Sequence, residues 1–261
     1  MGLQDSTVTR VEPIFDELLA RDETGVSWLP RLLALPTRPG AITPCTPALP
    51  LVRSGWGDAE IPLAPPRELL LWLVKNATLV DALAHQKTSP LTREKRDRLL
   101  KHDPDTIRDA LTRLTGAQVS DRAWYVLEGC TWPDVYLETE RALVVIEGKR
   151  TERAPTTYTT WMAIRHQMLR HLDCAWELRA GRDLFGFFIV EGVGGATGLA
   201  VPPSWQSAVA DTVKADALTA SLPHRREPER DAIARCFLGA TTWQTVCREF
   251  DIAWSELPDS I

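Results

Sequence analysis

The segment Leu143-Val144-Val145-Ile146-Glu147-Gly148-Lys149 is apolar for four residues and then sets two opposite charges two positions apart. Its valines and isoleucine favour an extended chain, so it reads as a strand. Side chains alternate between the faces of a strand, which puts Leu143, Val145, Glu147 and Lys149 on one face and Val144 and Ile146 on the other. Apolar residues on both faces mark a strand buried within a sheet. Burying either charge alone is costly, so such a strand must end in a site or in solvent. A solvated hairpin with Glu147 and Lys149 as ordinary surface residues is the bland alternative, and the apolar run on both faces argues against it.

The partner strand is Asp134 to Glu138, and the turn between them sets the register. Glu140-Arg141 is a poor tight-turn dipeptide, which favours a four-residue loop from Thr139 to Ala142; a two-residue loop has the same centre. Either version sets Asp134 opposite Glu147, whereas a three- or five-residue loop makes the pair diagonal. Directly opposed residues have Cβ atoms roughly 5 Å apart, where like charges destabilise a sheet. A divalent cation shared by both carboxylates compensates, since magnesium takes oxygen ligands from one or two carboxylates plus water and substrate phosphate. Lys149, on the face of Glu147, is then placed to orient and help deprotonate an attacking water, or to neutralise charge developing on a phosphoryl group.

The rest of the chain supports an α/β fold. Residues 8–35 hold two short helical patterns, around Val11, Phe15, Leu18 and Leu19 and around Trp28, Leu32 and Leu33. From Pro36 to Pro66 prolines recur too densely for a regular helix or central strand, which predicts a connecting arm or irregular packing segment. Pro65-Pro66 opens a helix carrying Leu69, Leu70, Trp72, Leu73 and Leu83, followed by helices over Leu91 to Lys101 and Thr106 to Leu114. Strands are expected at Ala123 to Leu127, Asp134 to Glu138, Leu143 to Lys149 and Leu184 to Val190, with a helix from Thr159 to Leu178 between the last two. The glycine-rich Gly192 to Gly198 lacks dinucleotide-loop spacing and reads as a hairpin turn. Helical patterns return over Ser204 to Leu222 and Pro228 to Phe250. The second is a pair around Gly239 that reads as a packing hairpin rather than a DNA-reading helix-turn-helix, because it lacks a basic second helix. Residues 1–64 are thus expected to form a helical, Pro-rich N-terminal extension, and residues 65–261 the main domain: a central mixed sheet flanked by helices, its core near 105–200.

Composition removes several classes. The net charge of −5 over 261 residues argues against a surface uniformly basic for nucleic acid, so any such contact needs a local patch. Lys149, Arg150, Arg153, Arg165, Arg170, Arg179 and Arg182 supply a local basic excess, or else simply a balanced helical surface. No apolar run is long enough to span a membrane and no signal-like start is present, so no membrane partner is expected and the cytoplasm is the expected location. Five scattered cysteines with no CxxC pair read as reduced, buried thiols rather than as zinc ligands or a disulfide framework.

Pro133-Asp134, twelve residues, then Glu147-Gly148-Lys149 resembles the PD-(D/E)xK motif of the restriction-endonuclease-like nuclease superfamily. The element order agrees, over roughly residues 105–200. The resemblance implies a restriction-endonuclease-like core and magnesium- or manganese-dependent hydrolysis of phosphodiester bonds, with DNA the favoured partner. It implies that Asp134, Glu147 and the backbone carbonyl of Gly148 bind metal, and that Lys149 serves the attacking water. It also implies an acidic residue on a helix before the first strand, for which Asp109 is the rough candidate.

Around this centre, Glu128 is a candidate second-metal ligand, with a solvated strand-end glutamate as the alternative. Arg165 and Gln167 are candidates for a helix residue reaching the site. His166 is expected to be solvated and His171 to pack at the core edge. A catalytically inactive nucleic-acid-binding or interaction module of the same fold is the main rival reading, and a metal-independent α/β enzyme using a cysteine or histidine the other.

Overall fold

The strand with which the sequence analysis began forms the spine of the molecule. In the computed structural model, which describes residues 6–44, 49–76, 89–115, 127–159, 162 and 164–259, it is β3 (Ala142–Lys149), and all eight of its residues are buried. Antiparallel β2 (Val135–Thr139) lies on one side and parallel β4 (Asp183–Val190) on the other. Edge strand β1 (Leu51–Trp56) runs antiparallel to β2, and β5 (Phe237–Thr242) runs parallel to β4, giving a mixed sheet in the order β1-β2-β3-β4-β5.

Strand alternation sorts the core into two layers. Val144 and Ile146 pack with α1 (Glu12–Arg21), α2 (Leu29–Leu33) and α10 (Trp243–Glu249), through Phe15, Leu32 and Trp243 among others. Leu143 and Val145 face α6 (Gln167–Leu178), α7 (Pro203–Thr212), α8 (Ala215–Ser221) and α9 (Glu227–Cys236). Each fully buried aliphatic side chain here is worth about 1.5–3 kcal/mol of transfer free energy, and reversing the face assignment would forfeit all of them at once. Helices α3 (Arg67–Lys75), α4 (Pro90–Leu100) and α5 (Pro104–Thr115) make a third, separate apolar cluster.

The N-terminal residues are not an extension to a self-sufficient domain. α1 and α2 supply the wall of one core layer, and β1 grows from the proline-rich stretch itself. It fits because Leu51–Trp56 contains no proline and lies at the sheet edge, where one row of backbone groups needs no partner.

Four other expectations change. The helix foreseen from Thr159 begins only at Gln167; the chain before it folds back on itself, with Arg165 N donating to Thr157 O and Gln167 N to Thr156 O. Pro155 and the β-branched threonines after it favour that extended path. The C-terminal helical pair is separated by β5, a six-residue strand buried throughout, in which Gly239 at φ +103° forms a bulge opposite β4. Two-faced burial gives such a strand no alternation to read. Gly192 to Gly198 is a short turn leading to α7, not the tip of a hairpin. The helical pattern over Ser204 to Leu222 divides into α7 and α8. The strand expected at Ala123 to Leu127 falls almost entirely outside the described residues, as does Leu83. No helix among the described residues is long and apolar enough to cross a membrane.

Candidate active site

The register that the loop centre implied is the one observed: Val135 pairs with Ile146, Tyr136 with Val145, Leu137 with Val144 and Glu138 with Leu143. The Thr139 hydroxyl closes the loop by accepting from the backbone N–H groups of Arg141 and Ala142, at 3.2 and 2.9 Å. Extending the ladder one step brings Asp134, just before β2, to the end of β3. There its Oδ2 accepts from Gly148 N at 2.7 Å.

Gly148 makes this approach possible. A Cβ there would stand 2.7 Å from Trp243 Cζ2, 3.0 Å from Val11 Cγ2 and 3.4 Å from Asp134 Oδ2. The Trp243 indole also donates to Lys149 O at 3.2 Å, tying the strand end to α10.

Glu147 and Lys149 point to the other layer, as their period-two position requires. Lys149 Nζ donates to Glu147 Oε1 at 2.8 Å, and both side chains are buried. Gln167, the first residue of α6, donates through Nε2 to the same oxygen at 2.5 Å. His171, one helical turn later, meets Glu147 Oε2 through Nε2 at 2.9 Å, while its Nδ1 contacts the Thr131 hydroxyl at 2.9 Å. α6 reaches this depth partly because Gly186 on β4 has no side chain; a Cβ would lie 2.8 Å from Leu172 and 2.9 Å from Met168.

The electrostatics are lopsided. Burial and the nearby Glu147 charge push the Asp134 carboxyl well above its ordinary range. Burial pushes Glu147 upward too, but Lys149 and His171 outweigh it and hold the carboxyl below its usual value. Burial works against the Lys149 ammonium, yet Glu147 and Asp134 keep its pKa raised, so it is a cation at neutral pH. Glu60, following β1, is a further carboxylate of this group: burial and the charge of Glu147 both raise it, and it raises Asp134 in turn. Asp134, Glu147 and Glu152 therefore all act on one buried ammonium, Glu152 from 4.0 Å, while Glu60 adds its negative charge to that of Asp134 and Glu147.

The structure thus gathers Asp134, Glu147, Gly148, Lys149 and Gln167. It does not bring Arg165 or Glu128 to them. Arg165 precedes α6, is fully buried, and donates to Asp173 Oδ2 at 2.9 Å and Ser221 O at 2.7 Å. Glu128 accepts from Arg170 at 2.6 Å and lies 3.7 Å from Arg165, so it belongs to that buried ion-pair network. Asp109 is a surface residue of α5 paired with Arg113 at 3.0 Å. Glu60, not Asp109, is the further carboxylate whose charge reaches Asp134.

Two histidines depart from expectation. His171 is a partner of Glu147, which its position four residues after Gln167 on one helix face could have signalled. His166 is buried, not solvated: it contacts the Thr212 hydroxyl at 3.0 Å, and burial with nearby His171 pulls its pKa down to about 4. Glu60 had no such signal, because only the tertiary fold carries the proline-rich arm to the strand ends.

No family model, curated protein or solved structure matches this chain. What the site can do rests on its own chemistry. Among the described residues, no three His, Cys, Asp or Glu side chains form a ready-made metal cluster. Asp134 and Glu147 nevertheless present hard oxygen donors, and the raised Asp134 carboxyl is a group that a proton or a cation would stabilise. Burial pushes the thiols of Cys236 and Cys247 up to about 11, and that of Cys174 further, which leaves each a poor nucleophile at neutral pH. A cavity of about 800 Å³, lined by residues such as Thr37, Val209, Ala240 and Arg248, lies at the β5 edge and includes none of the site residues.

Proposed function

We propose that this chain is a divalent-metal-dependent nuclease of restriction-endonuclease-like fold, hydrolysing phosphodiester bonds in nucleic acid, with DNA the substrate favoured by the motif resemblance. One observation carries the reading: the hairpin register brings Asp134 to the end of β3 beside Glu147, and although Lys149 pairs with Glu147, the Asp134 carboxyl stays raised well above its ordinary range. Magnesium or manganese, held by Asp134, Glu147 and the Gly148 carbonyl, would supply Lewis acidity toward the phosphate and lower the pKa of a bound water.

The chain's own groups have distinct parts in this reading. Lys149 stays protonated, so it acts by orienting water and stabilising developing negative charge rather than by removing a proton. Gln167 and His171 fix the Glu147 carboxylate, and Thr131 fixes the His171 ring in turn. Gly148 N–H orients Asp134 through Oδ2.

A second reading has its own supporting observation. Both Glu147 oxygens already have protein partners, which is also how a catalytically inactive nucleic-acid-binding or interaction module would satisfy a buried glutamate. Incubating the protein with plasmid and single-stranded substrates, in magnesium, manganese or chelator, separates the two. Cleavage that needs metal and disappears in Asp134→Ala supports the nuclease; cleavage surviving chelator, or undiminished in Lys149→Ala, rejects it. No cleavage, with nucleic acid still bound, supports the inactive module.

A further inference from the structure

Beside the Glu147 cluster lies a smaller cavity of about 240 Å³, with Thr131, Gln167, Arg170 and His171 in its wall. Trp132 and Tyr158 flank it, 52% and 64% exposed. Among the described residues these are the only large aromatic side chains that count as exposed. A single exposed aromatic needs no explanation. Two on the rim of one cavity, whose wall also holds two partners of Glu147, form a pair with a shared location.

Their positions in the chain give the pairing mechanical sense. Trp132 lies between Thr131, which holds His171, and Pro133-Asp134, which opens β2. Tyr158 lies in the folded-back segment that delivers Gln167 to Glu147. One rim is thus tied to each carboxylate's supporting element.

We propose that this cavity receives an unpaired nucleobase of a single-stranded polynucleotide, stacked on Trp132 and Tyr158, while the adjoining backbone lies at the Asp134–Glu147 site. The proposal rests on the nuclease reading above and names its substrate as single-stranded. The cavity falls below the roughly 300–1,000 Å³ typical of pockets enclosing a whole drug-sized ligand, so it takes one ring rather than a nucleotide. Its charge favours stacking over phosphate capture: Arg165 and Arg170 are both engaged with Glu128. Gln167 Oε1 is buried without a hydrogen-bond partner, leaving an acceptor in a side chain of the wall. Every base has a π-face, so aromatic stacking is tolerant of sequence, and a base paired within a duplex cannot offer that face.

The test is fluorescence anisotropy with the full-length protein in chelator, so that binding is read without cleavage. The probes are a labelled single-stranded DNA, the RNA of the same sequence, the DNA duplex, and a DNA strand carrying abasic sites. Trp132→Ala and Tyr158→Ala are each expected to weaken single-strand binding about 5- to 150-fold, with Trp132→Phe and Tyr158→Phe retaining most of it. The duplex and the abasic strand are expected to bind more weakly and to be insensitive to these changes. The DNA and RNA arms tell which sugar is preferred. Single-strand affinity unchanged in both alanine variants, or duplex bound as tightly as single strand, overturns the proposal. Metal-dependent cleavage that proceeds equally in wild type and both alanine variants rejects stacking and leaves the nuclease reading intact. Aromatic-dependent binding without cleavage in any metal upholds stacking and rejects the nuclease.

Discussion

Helix α6 separates two buried groups of carboxylates that the same chain treats in opposite ways. Toward α8 and α9, Asp173 accepts from Arg165 at 2.9 Å and Arg225 at 2.8 Å, with His224 at 3.2 Å; Arg225 also reaches Glu177, and Arg165 and Arg170 attend Glu128. Three arginines there offset three acids. Burial pushes Asp173 up, but Arg165, His224 and Arg225 together drive it far below its ordinary range. Toward the strand ends, Asp134 and Glu147 share Lys149 with Glu60 adding further negative charge, and Asp134 is driven upward instead. A buried group whose charge is balanced from within holds the fold together, while one left acidic is a group that an outside cation would stabilise.

The largest expected effect tests the balanced side. Arg165→Met should cost about 3–5 kcal/mol, because removing one partner leaves buried carboxylates uncompensated. Urea denaturation measures it, and a loss no greater than that of Asp134→Asn would erase the contrast. On the acidic side the loss should appear in rate. Lys149→Ala is expected to slow metal-dependent cleavage about 10²- to 10³-fold with unchanged circular dichroism; unfolding in place of inactivity would make Lys149 a structural residue.

Gly148→Ala should destabilise by about 1–3 kcal/mol through overpacking against Trp243 and Val11. Gly148→Ala paired with Trp243→Phe asks whether the indole is the cause, since a smaller ring should recover part of the loss. His171→Ala is expected to lower cleavage or metal affinity about 10- to 100-fold, as loss of a group that orients a ligand does. Metal titration followed by thermal shift reads it independently of turnover.

The subtlest signal is in pH. Asp134 has a folded pKa above its ordinary 3.8, so its contribution to stability is greatest at low pH and declines as pH rises from there through the raised value. Asp173 is depressed, so its contribution is present above 3.8 and is lost as pH falls through the lowered value. Melting curves across that range should show Asp134→Asn removing a decline toward neutral pH and Asp173→Asn removing a decline toward acid. Slopes of the same sign in both variants would contradict the assignment.

Legibility in the sequence followed the range of the interactions involved. β2, β3 and β4 were readable because alternation and β-branched runs are local, and the β2–β3 register because a hairpin's register depends on its own loop. Gln167 was within reach only through the family resemblance, and His171 was available by helical spacing though its place reads as packing. Arg165 was misplaced because its segment was read as helix; with α6 starting at Gln167, its guanidinium turns to Asp173 and Ser221. β5 was hidden by burial on both faces. Proline density reports on backbone freedom, not on what packs against what, so it gave no sign that β1, α1 and α2, all before residue 64, complete the core.

The sequence by itself determined the hairpin, its register, and the face on which Glu147 and Lys149 stand, since these depend on the two-residue period of a strand and on one short loop. Only the tertiary structure decided which charges accompany them. Glu60 arrives from the proline-rich arm, His171 by the close packing of α6 over Gly186, and Arg165 and Glu128 are drawn off into a network of their own. Electrostatic energy depends on distance through space, and residues far apart in sequence come within that distance only once the chain has folded.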